Sequence, residues 1–259
     1  MIHAPTAPAG TVGAFLETHS NMLHISNIVI SLSDLGNAPL DPRLEPYRVK
    51  ETNAPNTTPI PFTPASQNLY EDLYQFVVEE LPKHDSFIAH AAVIKYDGLA
   101  YAFMAPSGTG KSTHIKLWMD TFGPKATVIN GDKPILRLDK TPTGEPQITA
   151  CGSPWAGKEG WQTNTSAPLA GLCFLTRGST DECQRISPTE AFDSAVRQIY
   201  MPSDPVSAVR TLDFVDVLLQ TVPLYRLSCT MNKTAVKASF EAMTGRDFES
   251  CAKGDQHEN

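Results

Sequence analysis

No apolar run in this 259-residue chain approaches the roughly 20 residues that a membrane-spanning helix needs. The start, Met-Ile-His-Ala-Pro-Thr, does not read as a signal peptide. Basic stretches are scarce as well. Lys and Arg number 21 against 28 Asp and Glu, a net charge of −7, so nothing along the chain suits a phosphate backbone and no nucleic-acid partner is expected. The five cysteines, Cys151, Cys173, Cys183, Cys229 and Cys251, are scattered and never spaced C-x-x-C, which argues against a disulfide framework or a zinc site. No internal repeat is visible. Asn56-Thr-Thr and Asn164-Thr-Ser match the glycosylation triplet, a pattern frequent by chance. The expectation is a reduced, soluble, cytoplasmic protein with no membrane partner. What the chain does have is 41% hydrophobic and 19% charged residues, enough for one large globular domain or one and a half.

Residues 105–113 read A-P-S-G-T-G-K-S-T. The apolar run 99–104 before them has the look of a strand, and 115–119 after them that of the first turns of a helix. A strand, a glycine loop and then Gly-Lys-Ser is the arrangement that wraps a nucleotide's phosphates. Gly108 and Gly110 allow positive φ and turn backbone N–H groups inward, with Ser107, Thr109 and Thr113 completing the cradle. Lys111 reaches the β- and γ-phosphates in this reading, and the Ser112 hydroxyl ligates Mg²⁺. The helix N-terminus adds its own donors and dipole. The strict pattern opens with Gly, where this chain has Ala105. ATP and Mg²⁺ are the expected cofactors.

The runs 87–96 and 99–104, joined by Asp97-Gly98, have the form of a β-hairpin. Counting back from a two-residue turn pairs Tyr96 with Leu99, Ala91 with Met104 and His90 with Ala105. His90 then stands beside the first residue of the phosphate loop. That loop hangs from the second arm of an antiparallel pair, whereas in common GTPases its strand has parallel neighbours.

Three regions are expected. Residues 1–66 are irregular and proline-dense, with one strand over 25–32; 67–244 form the nucleotide-binding domain; 245–259 are a frayed tail. Within the second, Ser66 caps a helix over 69–81 that Pro82 stops. Residues 126–129 form a short buried strand. Ser187-Pro-Thr-Glu190 is a capping box opening a helix through 199. Another helix spans 203–221, a strand 224–229, and a last helix 233–243.

Asp132 follows the 126–129 strand, where an acidic residue beside such a loop holds Mg²⁺ or takes a proton from an acceptor hydroxyl. Residues 152–160, G-S-P-W-A-G-K-E-G, read as a flexible loop able to close over the nucleotide. In it Trp155 is a candidate stacking residue, Lys158 a neutraliser of phosphate charge and Glu159 a spare carboxylate. A surface loop with Trp155 tucked into the core is the other reading. Arg177, ending a strand over 172–176, is either an arginine finger in cis or a solvated edge charge. His114, one turn into the helix, is structural or supports the site from behind.

His90, the hairpin and Ser107-Gly-Thr-Gly-Lys-Ser112 together resemble the kinase domain of HPr kinase/phosphorylase, and the loop resembles that of its structural cousin phosphoenolpyruvate carboxykinase. Asn130-Gly-Asp-Lys-Pro134 and residues 152–159 look like a branch of HPr-kinase-like proteins, some linked to peptide natural-product clusters. The resemblance implies an α/β P-loop domain of the HPr kinase/carboxykinase type, a mixed sheet with a β-hairpin leading into the loop and flanking helices. It places the family's histidine on His90 and its loop lysine and serine on Lys111 and Ser112. Bifunctional members carry an Asp-Asp pair that divides acid/base work from metal binding. Here that stretch is Gly131-Asp132, so the two jobs are fused in Asp132 or shared with Glu159, and the phosphorylase half of the activity loses support. The implied activity is an ATP-dependent serine-kinase-like phosphotransferase acting on a small protein, a peptide or a small molecule, with a homo-oligomer possible. A carboxykinase-like enzyme for a small carboxylic acid, and a nucleotide-responsive binding module with little turnover, are the alternatives.

Overall fold

The computed structural model describes residues 22–32, 39–49 and 58–252. Met22–Ile25 (β1) and Ile28–Ser31 (β2) pair as an antiparallel hairpin, because Ser26 adopts a left-handed φ of 56° and Asn27 completes the turn. The single strand expected over 25–32 is therefore the end of one strand and the whole of another. Its apolar residues continue on both arms, and only the Ser-Asn pair marks the reversal. Arg48–Val49 (β3) and Ile60–Pro61 (β4) complete a four-stranded sheet in the order β3-β1-β2-β4. Residues 39–47 and 62–66 are turns, a short 3₁₀ turn over Glu45–Tyr47 and irregular chain, as expected, while 1–21, 33–38 and 50–57 lie outside the described residues.

Leu69–Glu80 (α1) lays Leu73 and Val77 onto that sheet. Its cap is Asn68, which accepts from the Glu71 N–H, and not Ser66 as expected; Ser66 instead bonds the Asp72 carboxylate. Pro82 does not end the helix abruptly, since it fits early in a 3₁₀ turn over Leu81–His84.

Ser86–Ile88 (β5), Ala91–Tyr96 (β6), Leu99–Met104 (β7), Ala126–Asn130 (β8), Ile135–Lys140 (β9), Pro146–Cys151 (β10), Ser166–Arg177 (β11), Glu182–Arg185 (β12) and Leu224–Cys229 (β13) build one nine-stranded mixed sheet. Its main path is β5-β9-β10-β11-β7-β6-β8, and β13 joins β12 to β11. The hairpin register is as expected, Tyr96 opposite Leu99 and Ala91 opposite Met104. Its first arm, however, is two strands: β5 pairs with β9, and the break at Ala89 and His90 separates it from β6. Strand β7 has an antiparallel neighbour in β6 and a parallel one in β11, so the contrast with parallel P-loop sheets is only half present.

Helices cover both faces, which explains why the central strands are apolar almost throughout. Ala100, Ala102 and Met104 of β7 face Pro188–Val196 (α3) and Pro205–Thr221 (α4), with Phe214, Val215 and Leu218 in the same cluster. Tyr101 and Phe103 point the other way, onto Lys111–Phe122 (α2) and Lys233–Thr244 (α5), around Trp118 and Phe240. The Ser187 capping box is present with Pro188 at the first helical position. Yet α3 stops at Val196 rather than running through 199, because 198–200 bond a strand break instead: the Gln198 carbonyl accepts from His90 N–H, and Tyr200 N–H donates to the Ile88 carbonyl. Asp204 caps α4, which starts at Pro205, two residues later than expected. Beyond Gly245 the chain is not simply frayed: Phe248–Ala252 (α6) packs Phe248 against Phe122 and Phe240. No helix among the described residues is long and apolar enough to cross a membrane.

Strand directions decide where chemistry gathers. Strands β7, β11 and β13 run parallel, β8 runs with them, and β6 runs against them. The carboxyl ends of β7, β8, β11 and β13 and the start of β6 therefore share one end of the sheet. In open α/β sheets ligands bind at such an end.

Candidate functional site

The chain leaves β7 at Met104, turns through 105–110 and enters α2 at Lys111. Gly108 and Gly110 have φ of 76° and 120°, as the loop reading requires. A Cβ at Gly108 would meet nothing within 4 Å, so that part of the cradle faces open space. Ser107 is exposed, Thr109 half-buried, and Ser112 and Thr113 lie in the first turn of α2. The Lys111 side chain folds back inward, only 6% exposed, and donates to the Ala105 carbonyl at 2.8 Å. Burial lowers the Lys111 pKa, and the nearby Asp132 charge partly offsets this.

His90 stands at the break between β5 and β6, one residue beyond the Ala91–Met104 pair that ends the hairpin register, with its N–H bonded to Gln198 rather than paired to Ala105 as the hairpin count expected, and its ring faces the loop. Its Nε2 lies 2.9 Å from the Lys111 ammonium and 3.4 Å from Asp132 Oδ1. Its Nδ1 is 2.8 Å from Gln198 Oε1. A carbonyl oxygen only accepts, so Nδ1 carries the proton and Nε2 presents a lone pair. Asp132 follows β8 in a turn built by Asn130, whose Oδ1 accepts the N–H groups of both Asp132 and Lys133. The Nε2–H that His90 presents when its ring is protonated and the ammonium of Lys133, 3.0 Å from Oδ2, hold the Asp132 carboxyl down at about 2, against the cost of burial. Three nitrogen groups, on His90, Lys111 and Lys133, thus surround one ionised carboxylate at the mouth of the glycine loop.

The 152–160 segment is less mobile in construction than its composition suggests. Ser153 bonds Asn130 and the Lys133 carbonyl, Gly152 N–H donates to Thr165, and residues 152–156 are buried. Trp155 is 4% exposed and packs against Tyr70 and Tyr74, far from the part of a base-stacking ring. The reading with Trp155 in the core is the one found. Only 157–160 are exposed, Lys158 and Glu159 among them. Gly157 passes so close to Asp132 that an added Cβ would lie 3.0 Å from the Asp132 Cβ, at a φ of 73° that disfavours any side chain. The loop's tip is therefore adjacent to the carboxylate, with Lys158 and Glu159 next along the chain.

Arg177 ends β11, whose strand begins six residues earlier than expected, at Ser166. Its guanidinium donates to the Gly108 carbonyl at 2.7 Å and to the Thr109 carbonyl at 3.3 Å. It grips the loop's backbone, a role neither reading anticipated. His114 is fully buried between Phe103 and Ser239 and is structural.

Gln198 and Lys133 escaped the sequence reading. Lys133 lies inside the Asn130–Pro134 block and had a local signal; Gln198 had none, since it reaches His90 through the isolated bridge between Ala89 and Ile199. A groove of about 830 Å³ at the opposite end of the sheet, beside Lys95, Lys125 and Arg246, shares no residue with the loop. Volume alone does not mark a site, whereas converging titratable groups do. Among the described residues no group of three or more His, Cys, Asp and Glu is placed to hold a metal unaided.

Residues 68–236 match the family model of ScmC, the SynChlorMet cassette protein. That span is well over half of the chain, which belongs to this family. No curated protein matches the chain. Among solved structures, the HPr(Ser) kinase/phosphatase from Coxiella burnetii is similar over 66% of this chain and 99% of its own, at 10% identity and a TM-score of 0.33. The family that the short motifs resemble is thus a different one from the family to which the chain belongs, and so low a score adds no weight to those motifs.

Proposed function

We propose that this protein is an ATP-dependent phosphotransferase that moves the γ-phosphoryl group to a hydroxyl, a serine of a small protein or peptide or a small molecule. The observation that carries the reading is the meeting of Lys111, His90 and Asp132 at the mouth of a glycine loop that opens a helix. The cradle fits a triphosphate: φ-positive glycines, an open face at Gly108 and a buried ammonium at the helix start. Magnesium fits one carboxylate, Asp132, with the Ser112 hydroxyl, because this ion keeps most of its shell as water and phosphate oxygen. Bound Mg²⁺ supplies neutralisation of the charge that develops on the transferred group.

The residues divide the work by their protonation. Lys111 pairs with phosphate oxygens, and in leaving His90 frees the Nε2 lone pair. A carboxyl held near 2 is a weak base at neutral pH, so Asp132 serves better as metal ligand and hydroxyl orienter than as proton acceptor. His90 Nε2, with its proton fixed on the Gln198 side, takes the hydroxyl proton. Phosphoryl transfer of the loose kind asks little of a base, so positioning dominates. Lys158 and Glu159, adjacent to Asp132 through Gly157, meet the acceptor.

The test uses γ-labelled ATP with Mg²⁺, the purified protein and size-fractionated extract of its source. Label is expected on a protein, peptide or metabolite, and absent with Lys111→Ala and Asp132→Asn. ATP binding without any transfer in any fraction would favour the binding module.

A further inference from the structure

Resting on the nucleotide reading above, the geometry points to which way round the nucleotide lies, and we infer that Met231 forms its nucleoside subsite. The two flanks of β7 differ in chemistry. On the β6–β8 side stand His90, Asp132 and Lys133, the groups suited to the reacting phosphate and its acceptor. On the β11–β13 side no carboxylate or imidazole among the described residues bonds the loop through its side chain. There Arg177 holds the loop carbonyls, and a cavity of about 390 Å³ is bounded by residues 106–109, Leu175, Thr176 and Arg177. A phosphate chain whose reacting end faces Asp132 directs its nucleoside to this second flank.

Met231 is not among the residues bounding that cavity but stands next to it, two residues past Cys229, the strand partner of Arg177. It follows β13 with a left-handed φ of 67°, uncommon for a side chain of its size. Its side chain lies over Gly110, so closely that a Cβ added there would be 2.0 Å from the Met231 methyl. The turn is pinned on both sides. The Asp181 carboxylate accepts from Thr230 N–H at 2.6 Å, from the Thr230 hydroxyl and from the Thr234 hydroxyl. Backbone held in an uncommon conformation by a dedicated anchor marks a position whose placement matters. Met231 is half-buried, its sulfur takes the Cys229 thiol at 3.6 Å, and a polarizable, adaptable thioether beside the exposed loop is a good surface for the face or edge of a purine.

Binding of MgATP and of magnesium tripolyphosphate, which lacks the nucleoside, separates the possibilities by calorimetry. Met231→Ala is expected to weaken MgATP about three- to tenfold, the range of a sulfur–aromatic contact, and to leave tripolyphosphate unchanged. Met231→Leu, which keeps the apolar bulk over Gly110 but removes the sulfur, is expected to weaken MgATP less than Met231→Ala and to leave tripolyphosphate unchanged, which shows that the turn survives substitution. Equal weakening of both ligands by Met231→Ala would reduce Met231 to a prop for the loop and overturn the inference. Tighter MgATP binding would make it an obstruction and overturn it equally. If the wild type binds neither ligand, the nucleotide reading itself falls, and this inference with it.

Discussion

Asp132 owes its charge to its neighbours, and that dependence is measurable. Its folded-state pKa is depressed to about 2 from an ordinary 3.8, by the hydrogen bond with His90 and then by Lys133. An acid depressed on folding stabilises the native state fully above its unfolded pKa and loses that contribution as pH falls through the folded value. The window is therefore pH 4 down to 2, and the contribution is about 2 kcal/mol. In urea titrations the stability gap between wild type and Asp132→Asn should narrow across that window and be flat above pH 5. A gap that is constant from pH 5 to 2 would mean His90 and Lys133 do not hold the carboxylate. Gln198 makes a second prediction at this scale. It fixes the Nδ1–H form of His90, so Gln198→Leu, which removes that acceptor, should produce a mixture of tautomers in the His90 ¹⁵N spectrum. An unchanged Nδ1–H signal would show that something else sets the tautomer. His90, Lys111 and Asp132 were legible in the sequence because each sits in a local pattern: a hairpin count, a glycine loop, a strand end. Gln198 was not, because nothing in residues 197–200 announces a partner some hundred residues upstream in chain order.

Among elements, the joint between α2 and α5 is the one that pH should loosen. His114 is enclosed there with its Nε2 against the Ser239 hydroxyl, which passes its own proton to the Val236 carbonyl, while Trp118 Nε1 donates into the same pair. Nδ1 has no partner. Complete burial pushes the His114 pKa down to about 3 from 6.5, with Asp181 only partly countering. For a base depressed on folding, the unfolded chain takes a proton that the native state refuses. Stability is thus intact above pH 6.5 and falls progressively toward pH 3, by as much as ~4 kcal/mol. His114→Leu should abolish that slope between pH 6.5 and 4 while lowering stability at pH 8, where Trp118 retains Ser239 alone. A slope identical in both proteins would place the acid lability elsewhere. Elements with strong local signals were visible in advance: the Ser187 capping box, the Asp97-Gly98 turn, the apolar arm of β7. The break between β5 and β6 and the helix α6 were not. The first depends on 198–200 arriving to satisfy backbone groups, and the second on Phe248 finding Phe122 and Phe240. Both are tertiary events that override local preference.

At the scale of the molecule, the small N-terminal sheet is not an appendage. Proline density suggested a boundary near residue 66, yet one apolar cluster crosses it. Leu23, Ile25, Ile28 and Ile30 of β1 and β2 share that cluster with Leu73 and Val77 of α1, and with Ile88, Ile135, Cys151 and Trp155 of the large sheet and its loop. Trp155 in turn belongs to the segment whose Ser153 braces Asn130, the residue that turns Asp132 toward His90. Cover for the N-terminal sheet and placement of the carboxylate are therefore parts of one packed structure. Removing residues 1–66 uncovers Leu73, Tyr74, Val77, Leu81, Ile88, Ile135, Cys151 and Trp155. At even ~1 kcal/mol for each partly exposed side chain, the loss matches the ~5–15 kcal/mol total of an ordinary domain. A chain of residues 67–252 should thus be insoluble or lack a cooperative melt, where the full chain melts in a single transition by circular dichroism. Should the truncated chain melt at the same temperature as the full one, residues 1–66 are a free-standing region, open to partner contacts and with no hold on the site. The shared cluster gives the other expectation: damage at β1 and β2 reaches Asp132 through Trp155, Ser153 and Asn130.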